Sequence, residues 1–155
     1  FGNIVFYSCH SFIIYNNFIY IIMEKFKQIS KKPGFMKYNN GLLFRKISNS
    51  KYQFKTKIKK NHLNRAGITH GGYIASIIDT GAGAGAHRVA DGKVCVTISL
   101  DIKFIGTSKL GDEIFGFVKI QKITKSLIFV ICYLECKKKI IASASGIWKK
   151  TSYSF

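Results

Sequence analysis

One stretch of the chain concentrates residues that could do chemistry. His70-Gly71-Gly72 leads into an apolar run whose single acid is Asp79. Two glycines at the start of a helical run leave backbone N–H groups open at the positive end of the helix dipole. That arrangement suits an oxygen gaining negative charge. An acid inside an apolar run is costly to bury, and a partly desolvated carboxylate is a stronger base. Asp79 is therefore a candidate base or nucleophile, unless Ser76 or Thr80 simply caps it. Gly71 is a candidate oxyanion donor, because a missing side chain lets a substrate approach the backbone. His70 and Asn64, in the polar loop ahead of the run, read as orienting groups, although Asn is also common as a loop cap. His10, His62 and His87 read as surface residues.

Spacing constrains how these groups act together. His70 and Asp79 are nine residues apart on one helix, roughly 13 Å along its axis. Two side chains so separated do not meet at one carbon. If both serve one site, they come from different subunits across an isologous interface.

The elements that must position them follow from the pattern of apolar residues. Leu42–Ile47 and Tyr52–Ile58 read as a hairpin closed by Ser48-Asn49-Ser50. Residues 71–86 read as a helix burying Tyr73, Ile74, Ile77 and Ile78. Its Gly81–Ala86 segment of alternating glycine and alanine costs helix propensity, so it is expected to press closely against a neighbour. Four strands follow, roughly 94–105, 113–122, 126–136 and 139–149. Their later connections are too short for crossover helices, so the strands are antiparallel neighbours. The fold class is α+β, an antiparallel sheet wrapped around one long central helix. Residues 23–40 form a basic segment with a short helix over 24–30, broken at Pro33-Gly34. Residues 41–150 form the domain, and 151–155 a tail.

Residues 1–22 are aromatic and apolar without a charged residue. Their interrupting Asn and Ser residues, and the lack of a basic start, argue against a signal or stable membrane insertion. They read as a non-native or disordered extension ahead of Met23. Lys and Arg outnumber Asp and Glu by 25 to 7, a formal net charge of +18. The lysines are scattered and accompany a general excess of Asn, Ile, Phe and Tyr, which points to biased composition rather than nucleic-acid binding. The four cysteines, Cys9, Cys95, Cys132 and Cys136, lack metal-ligand spacing and read as free thiols of a reducing, cytoplasmic setting.

Asn64-x-x-Gly67-x-x-His70-Gly71-Gly72 followed by Asp79-Thr80 resembles the hotdog-fold thioesterases, of the phenylacetic-acid-degradation and acyl-CoA thioesterase 13-like type. The likeness continues through Val96–Phe104 and Lys109-Leu110-Gly111-Asp112, covering about residues 33–149. It implies a hotdog fold and hydrolysis of an acyl-CoA, aryl or fatty, without metal or organic cofactor. It further implies that Asp79 is nucleophile or general base, and that the Gly71 N–H polarises the thioester carbonyl. Asn64, His70 and Thr97 would support water, substrate or loop. Gly72 and Tyr73 beside Gly71, and Lys109 and Lys125 at strand ends where a nucleotide could lie, complete the expected substrate contacts. The family's homodimer, or a homotetramer, would build its sites at the subunit interface. A non-catalytic acyl-CoA- or lipid-binding hotdog protein is the alternative.

Overall fold

The computed structural model describes residues 12–15, 18–21 and 24–154. Strands β1 (Phe12–Tyr15) and β2 (Phe18–Ile21) pair antiparallel with each other. The rest of the expected extension, with Cys9 and His10, lies outside the described residues.

Seven further strands form one sheet. They are β3 (Lys27–Ile29), β4 (Leu42–Lys46), β5 (Lys51–Lys57), β6 (Lys93–Phe104), β7 (Glu113–Ile123), β8 (Leu127–Cys136) and β9 (Lys139–Ser154). The order is β3-β4-β5-β7-β8-β9-β6 and the paired neighbours are antiparallel. Helix α1 (Phe35–Tyr38) is one turn, and α2 (Gly71–Arg88) is the long central helix of 18 residues. The chain leaves α2 and crosses to the far edge, so among the described residues β6 pairs with β9 alone and its other side is open.

Two expected boundaries are corrected. Residues 24–30 hold no helix; Lys27–Ile29 pair with Leu42–Phe44 instead. An open edge on β4 supplies backbone partners that outweigh the local helix propensity of Glu24–Gln28. The last strand runs to Ser154 rather than stopping near Lys149, because Lys93 at the start of β6 pairs with Ser154.

The α2 glycines set how near helix and sheet come. A Cβ on Gly81 would lie 2.1 Å from the Phe54 ring, and one on Gly85 would lie 3.0 Å from Val118. Across the sheet, a Cβ on Gly116 would also lie 2.1 Å from Phe54. The Phe54 ring is thus held between two backbones that can approach only because both positions lack a side chain. Ile74, Ile77 and Ile78 of α2 join Phe54, Ile114, Leu134 and Trp148 in the core, as the helical period predicts. The described cysteines, Cys95, Cys132 and Cys136, are free and buried. Burial pushes the Cys132 thiol up to about 12.

His62 belongs to this core and not to the surface. Its ring stacks on Tyr73 at 3.7 Å, and its Nδ1 accepts the Lys59 N–H at 3.1 Å. Its Nε2 is buried without a hydrogen-bond partner among the described residues. Loss of solvation, and then the Lys59 charge, lower its pKa below the ordinary 6.5. Below about that pH the unfolded chain takes up a proton that the folded chain resists, so the stability present at higher pH is lost as pH falls. The urea midpoint is expected to drop on going from pH 7.5 to pH 5.5. His62→Phe keeps the stacking and should reduce that drop; an unchanged slope would remove His62 as its source.

Candidate functional site

Asp79 sits on the face of α2 turned toward β6. Thr97 Oγ1 of β6 donates a 2.6 Å hydrogen bond to Asp79 Oδ1. Ser76 does not cap the acid, since its Oγ donates back to the Gly72 carbonyl at 2.6 Å, and no hydrogen bond from Thr80 to Asp79 is seen among the described residues. One lobe of the carboxylate is thereby oriented, and no second hydrogen-bond donor is seen on it among the described residues. Both residues line an open cleft of about 680 Å³ with Trp148 and Cys95. Lys31, Lys32 and Arg88 stand on the same cleft and make it cationic. Lys31 and Lys32 come from the basic segment ahead of the domain, which the sequence did not place at the site; its charge run was the available signal.

His87 is the other residue that sequence reasoning misplaced. It lines the cleft, its Nδ1 meets the Gly83 carbonyl at 2.8 Å, and its Nε2 accepts the Cys95 N–H at 3.0 Å. Accepting at Nε2 puts the neutral ring's proton on Nδ1, where it donates to Gly83. The ring ties the end of α2 to the start of β6 at Cys95, two residues before Thr97. The helix that carries the acid and the strand that orients it are joined by this bridge.

The residues ahead of Asp79 in the motif stand at the N-terminus of α2, eight residues from the acid in the case of Gly71. His70 is the helix N-cap; its Nδ1 accepts the Gly72 N–H at 2.9 Å, and its carbonyl accepts from Tyr73 at 2.9 Å. The Gly71 N–H has no acceptor among the described residues, whereas the Gly72 N–H is spent on His70. Asn64 closes the preceding loop: its Oδ1 accepts from Ala66 at 2.9 Å and Ile68 at 3.3 Å, allowing Gly67 its φ of +75°. The Phe104 ring lies in van der Waals range of Gly71, 3.5 Å from where a Cβ would stand.

The expected substrate contacts divide. Lys109 packs with the loop after Asn64, through a bridge to Ile68. Its N–H donates to Asp112, whose carboxyl is held below its usual range, most strongly by the Lys137 ammonium at 2.8 Å. Lys125 lies in the turn between β7 and β8 and does not line the Asp79 cleft. Tyr73 is a core residue, 6% exposed, its hydroxyl 3.1 Å from Thr56 Oγ1. A ring consumed by packing against His62 has no free face for a substrate. Asn64, His70, Gly71 and Gly72 do not line the Asp79 cleft either. One chain therefore presents an acid with its orienting hydroxyl near the middle of α2, and at the helix N-terminus an N–H without an acceptor among the described residues.

The thioesterase superfamily model matches residues 66–140, which span α2 and strands β6 to β8. The chain has the hotdog fold, and over residues 66–140 it is similar to the thioesterase superfamily. This hotdog chain is 27% identical over 123 residues to acyl-coenzyme A thioesterase 13 of Mus musculus, covering 78% of its own length and 88% of the relative's. Its fold matches the crystal structure of zebrafish thioesterase superfamily member 2 with a TM-score of 0.72 at 22% identity, over 79% of this chain and 90% of that one. It matches the Escherichia coli PaaI protein of the phenylacetic acid degradation operon with a TM-score of 0.63 at 17% identity, over 67% and 75% of the two chains. Among the described residues of the hotdog chain there is no cluster of metal-ligating side chains, and no helix is long and apolar enough to cross a membrane.

Proposed function

We propose that the protein hydrolyses the thioester of an acyl-CoA, releasing a free acid and CoA. The observation that carries this reading is the Thr97–Asp79 hydrogen bond at the base of a cationic cleft. Asp79 either draws a proton from water or attacks the carbonyl carbon itself, and Thr97 fixes which oxygen is available. A thioester carbonyl that accepts this attack builds charge on its oxygen, and the unspent Gly71 N–H at a helix N-terminus is the donor for it. Lys31, Lys32 and Arg88 supply a field that suits the phosphates of CoA. The name of the mouse relative, an acyl-coenzyme A thioesterase, agrees with this substrate class. The acyl group, aryl or fatty, is read out by thiol release across a panel of acyl-CoAs.

The active site is composite in this reading. Strand β6 is an open edge with Val96, Ile98 and Phe104 exposed and Ile105 exposed just beyond it, a surface unsuited to standing alone in water. Antiparallel pairing of two such edges about a two-fold axis between Leu100 and Asp101 would bring the partner subunit's Phe104 beside Thr97. The Gly71 packed on Phe104 would then approach the other subunit's Asp79.

Gly71→Pro tests this cleanly. Gly71 is the first residue of α2, where proline is tolerated, and His70 has φ −64° and ψ 133°, a conformation compatible with a following proline. The variant should stay folded, lose its N–H, and lose about 10²-fold in turnover. Heterodimers of Gly71→Pro with Asp79→Ala should regain part of the activity, because one of the two sites then holds both groups. Verified heterodimers as inactive as their parents would sink the composite site.

A further inference from the structure

The indole of Trp148 holds an unused hydrogen-bond donor in the cleft of Asp79. Trp148 of β9 is the direct cross-strand partner of Thr97, whose hydroxyl orients the acid. Its ring lies between two glycines. A Cβ on Gly83 would stand 3.2 Å from Trp148 Nε1, and one on Gly146 would stand 2.7 Å from Cζ3 at the other end of the indole. Gly83 is one helical turn beyond Asp79 on the same face of α2, roughly 6 Å along the axis. The Trp148 side chain is 1% exposed, and it lines the cleft. A buried indole N–H ordinarily finds an acceptor. Trp148 Nε1 has none among the described residues, where the side-chain nitrogen sealed from solvent without a hydrogen bond is His62 Nε2. The little surface that Trp148 keeps therefore includes Nε1, and that surface faces the cleft. A donor on a wedged ring, one turn from the acid, is placed for an acceptor on whatever occupies the cleft.

We infer that Trp148 binds the pantetheine arm of CoA, its Nε1–H donating to the carbonyl oxygen of the amide nearest the sulfur. This rests on the reading of the cleft as an acyl-CoA site. Two methylenes and an amide nitrogen separate that carbonyl from the sulfur, about 5 Å of covalent reach, which matches the helical turn from Asp79 to Gly83. The amide is present whichever acyl group is carried, whereas a hydrocarbon chain offers the donor nothing. A bond made equally to bound substrate and to the transition state lowers KM and leaves kcat alone. Trp148 is thus a substrate-binding residue that selects CoA thioesters over simple alkyl thioesters.

The chain holds one tryptophan, so a single indole N–H resonance reports on it by NMR. In the full chain labelled with heavy nitrogen, this resonance is expected to move downfield on titration with CoA. It should move likewise with hexanoyl-CoA in the Asp79→Asn chain, and stay in place with ADP, which has no arm. Trp148→Phe keeps a ring in the slot without the donor. Its KM for hexanoyl-CoA should rise about fivefold to tenfold with kcat within about twofold, and its kcat/KM for ethyl thiohexanoate, which has no amide, should match the native chain's. An indole resonance unmoved by CoA, or moved as far by ADP, overturns the assignment. So does a resonance moved by hexanoyl-CoA but not by CoA, which gives the donor to the acyl group, or a Trp148→Phe loss equal for the two thioesters. The titration decides even where Trp148→Phe does not fold. It also separates this assignment from hydrolysis: a resonance shifted by CoA in a chain that releases no thiol keeps the arm's site and removes the reaction.

Discussion

Asp79→Asn is expected to lower thiol release from acyl-CoA by about 10³-fold while leaving the thermal midpoint nearly unchanged. Asn has the shape of Asp and keeps an oxygen for the Thr97 hydroxyl, which donates at 2.6 Å in the native protein. What it lacks is the charge, and with it both possible actions, proton abstraction and covalent attack. Thr97→Ala separates orientation from chemistry. It removes one hydrogen bond to a charged group, so a loss of roughly 10-fold to 100-fold is expected, with rescue by Thr97→Ser. Substrate binding is measured in parallel with the Asp79→Asn protein. A variant that turns over as fast as the native chain would remove Asp79 from the mechanism. A native chain that binds acyl-CoAs of every class but releases no thiol would make the protein a binding module.

The largest effect on stability is expected at Gly81. Alanine in a helix is favoured over glycine by about 1 kcal/mol, so propensity alone predicts a gain from Gly81→Ala. Packing predicts the reverse. The new Cβ would lie 2.1 Å from the Phe54 ring, and the ring cannot retreat because the Gly116 backbone stands as close on its other side. Overpacking of this kind costs about 3 kcal/mol, which exceeds the propensity gain and is a large share of a typical domain's stability. The double-mutant cycle with Phe54→Leu gives the decisive reading. In that background Gly81→Ala should be close to neutral or mildly stabilising, because the atoms it strikes are gone. Equal costs in both backgrounds, by urea unfolding, would show that Phe54 is not what excludes the side chain.

The helix with its acid, the meander of strands and the close approach of helix to sheet were legible because each rests on local pattern. Tyr73, Ile74, Ile77 and Ile78 follow the helical period, and the glycine-alanine segment announced a tight contact before its partner was known. The partner itself, Phe54, was not legible, since nothing in a sequence pairs residue 54 with residues 81 and 116. His62 was misplaced for a related reason. A histidine in a polar loop reads as exposed, and only the fold brings Tyr73 over its ring. Lys31 and Lys32 reach the cleft because β3 adds to the edge of β4, a pairing that local helix propensity in Glu24–Gln28 obscures. Conversely, Lys125 sits at a strand end, as expected, yet a strand end is only one of several places where a cation can stand.

The glycine face of α2 also bears on how well the acid is aimed. Turning the helix by one residue would rotate it by about 100° and carry alanine methyl groups toward the Phe54 and Val118 contacts that now meet bare backbone. Sliding it along its axis meets the same obstruction. The azimuth of Asp79 is therefore set by what the sheet refuses to admit, and not by the strength of any one attraction. A single hydroxyl on a neighbouring strand then suffices to choose the rotamer, because the backbone beneath it has no remaining freedom to wander.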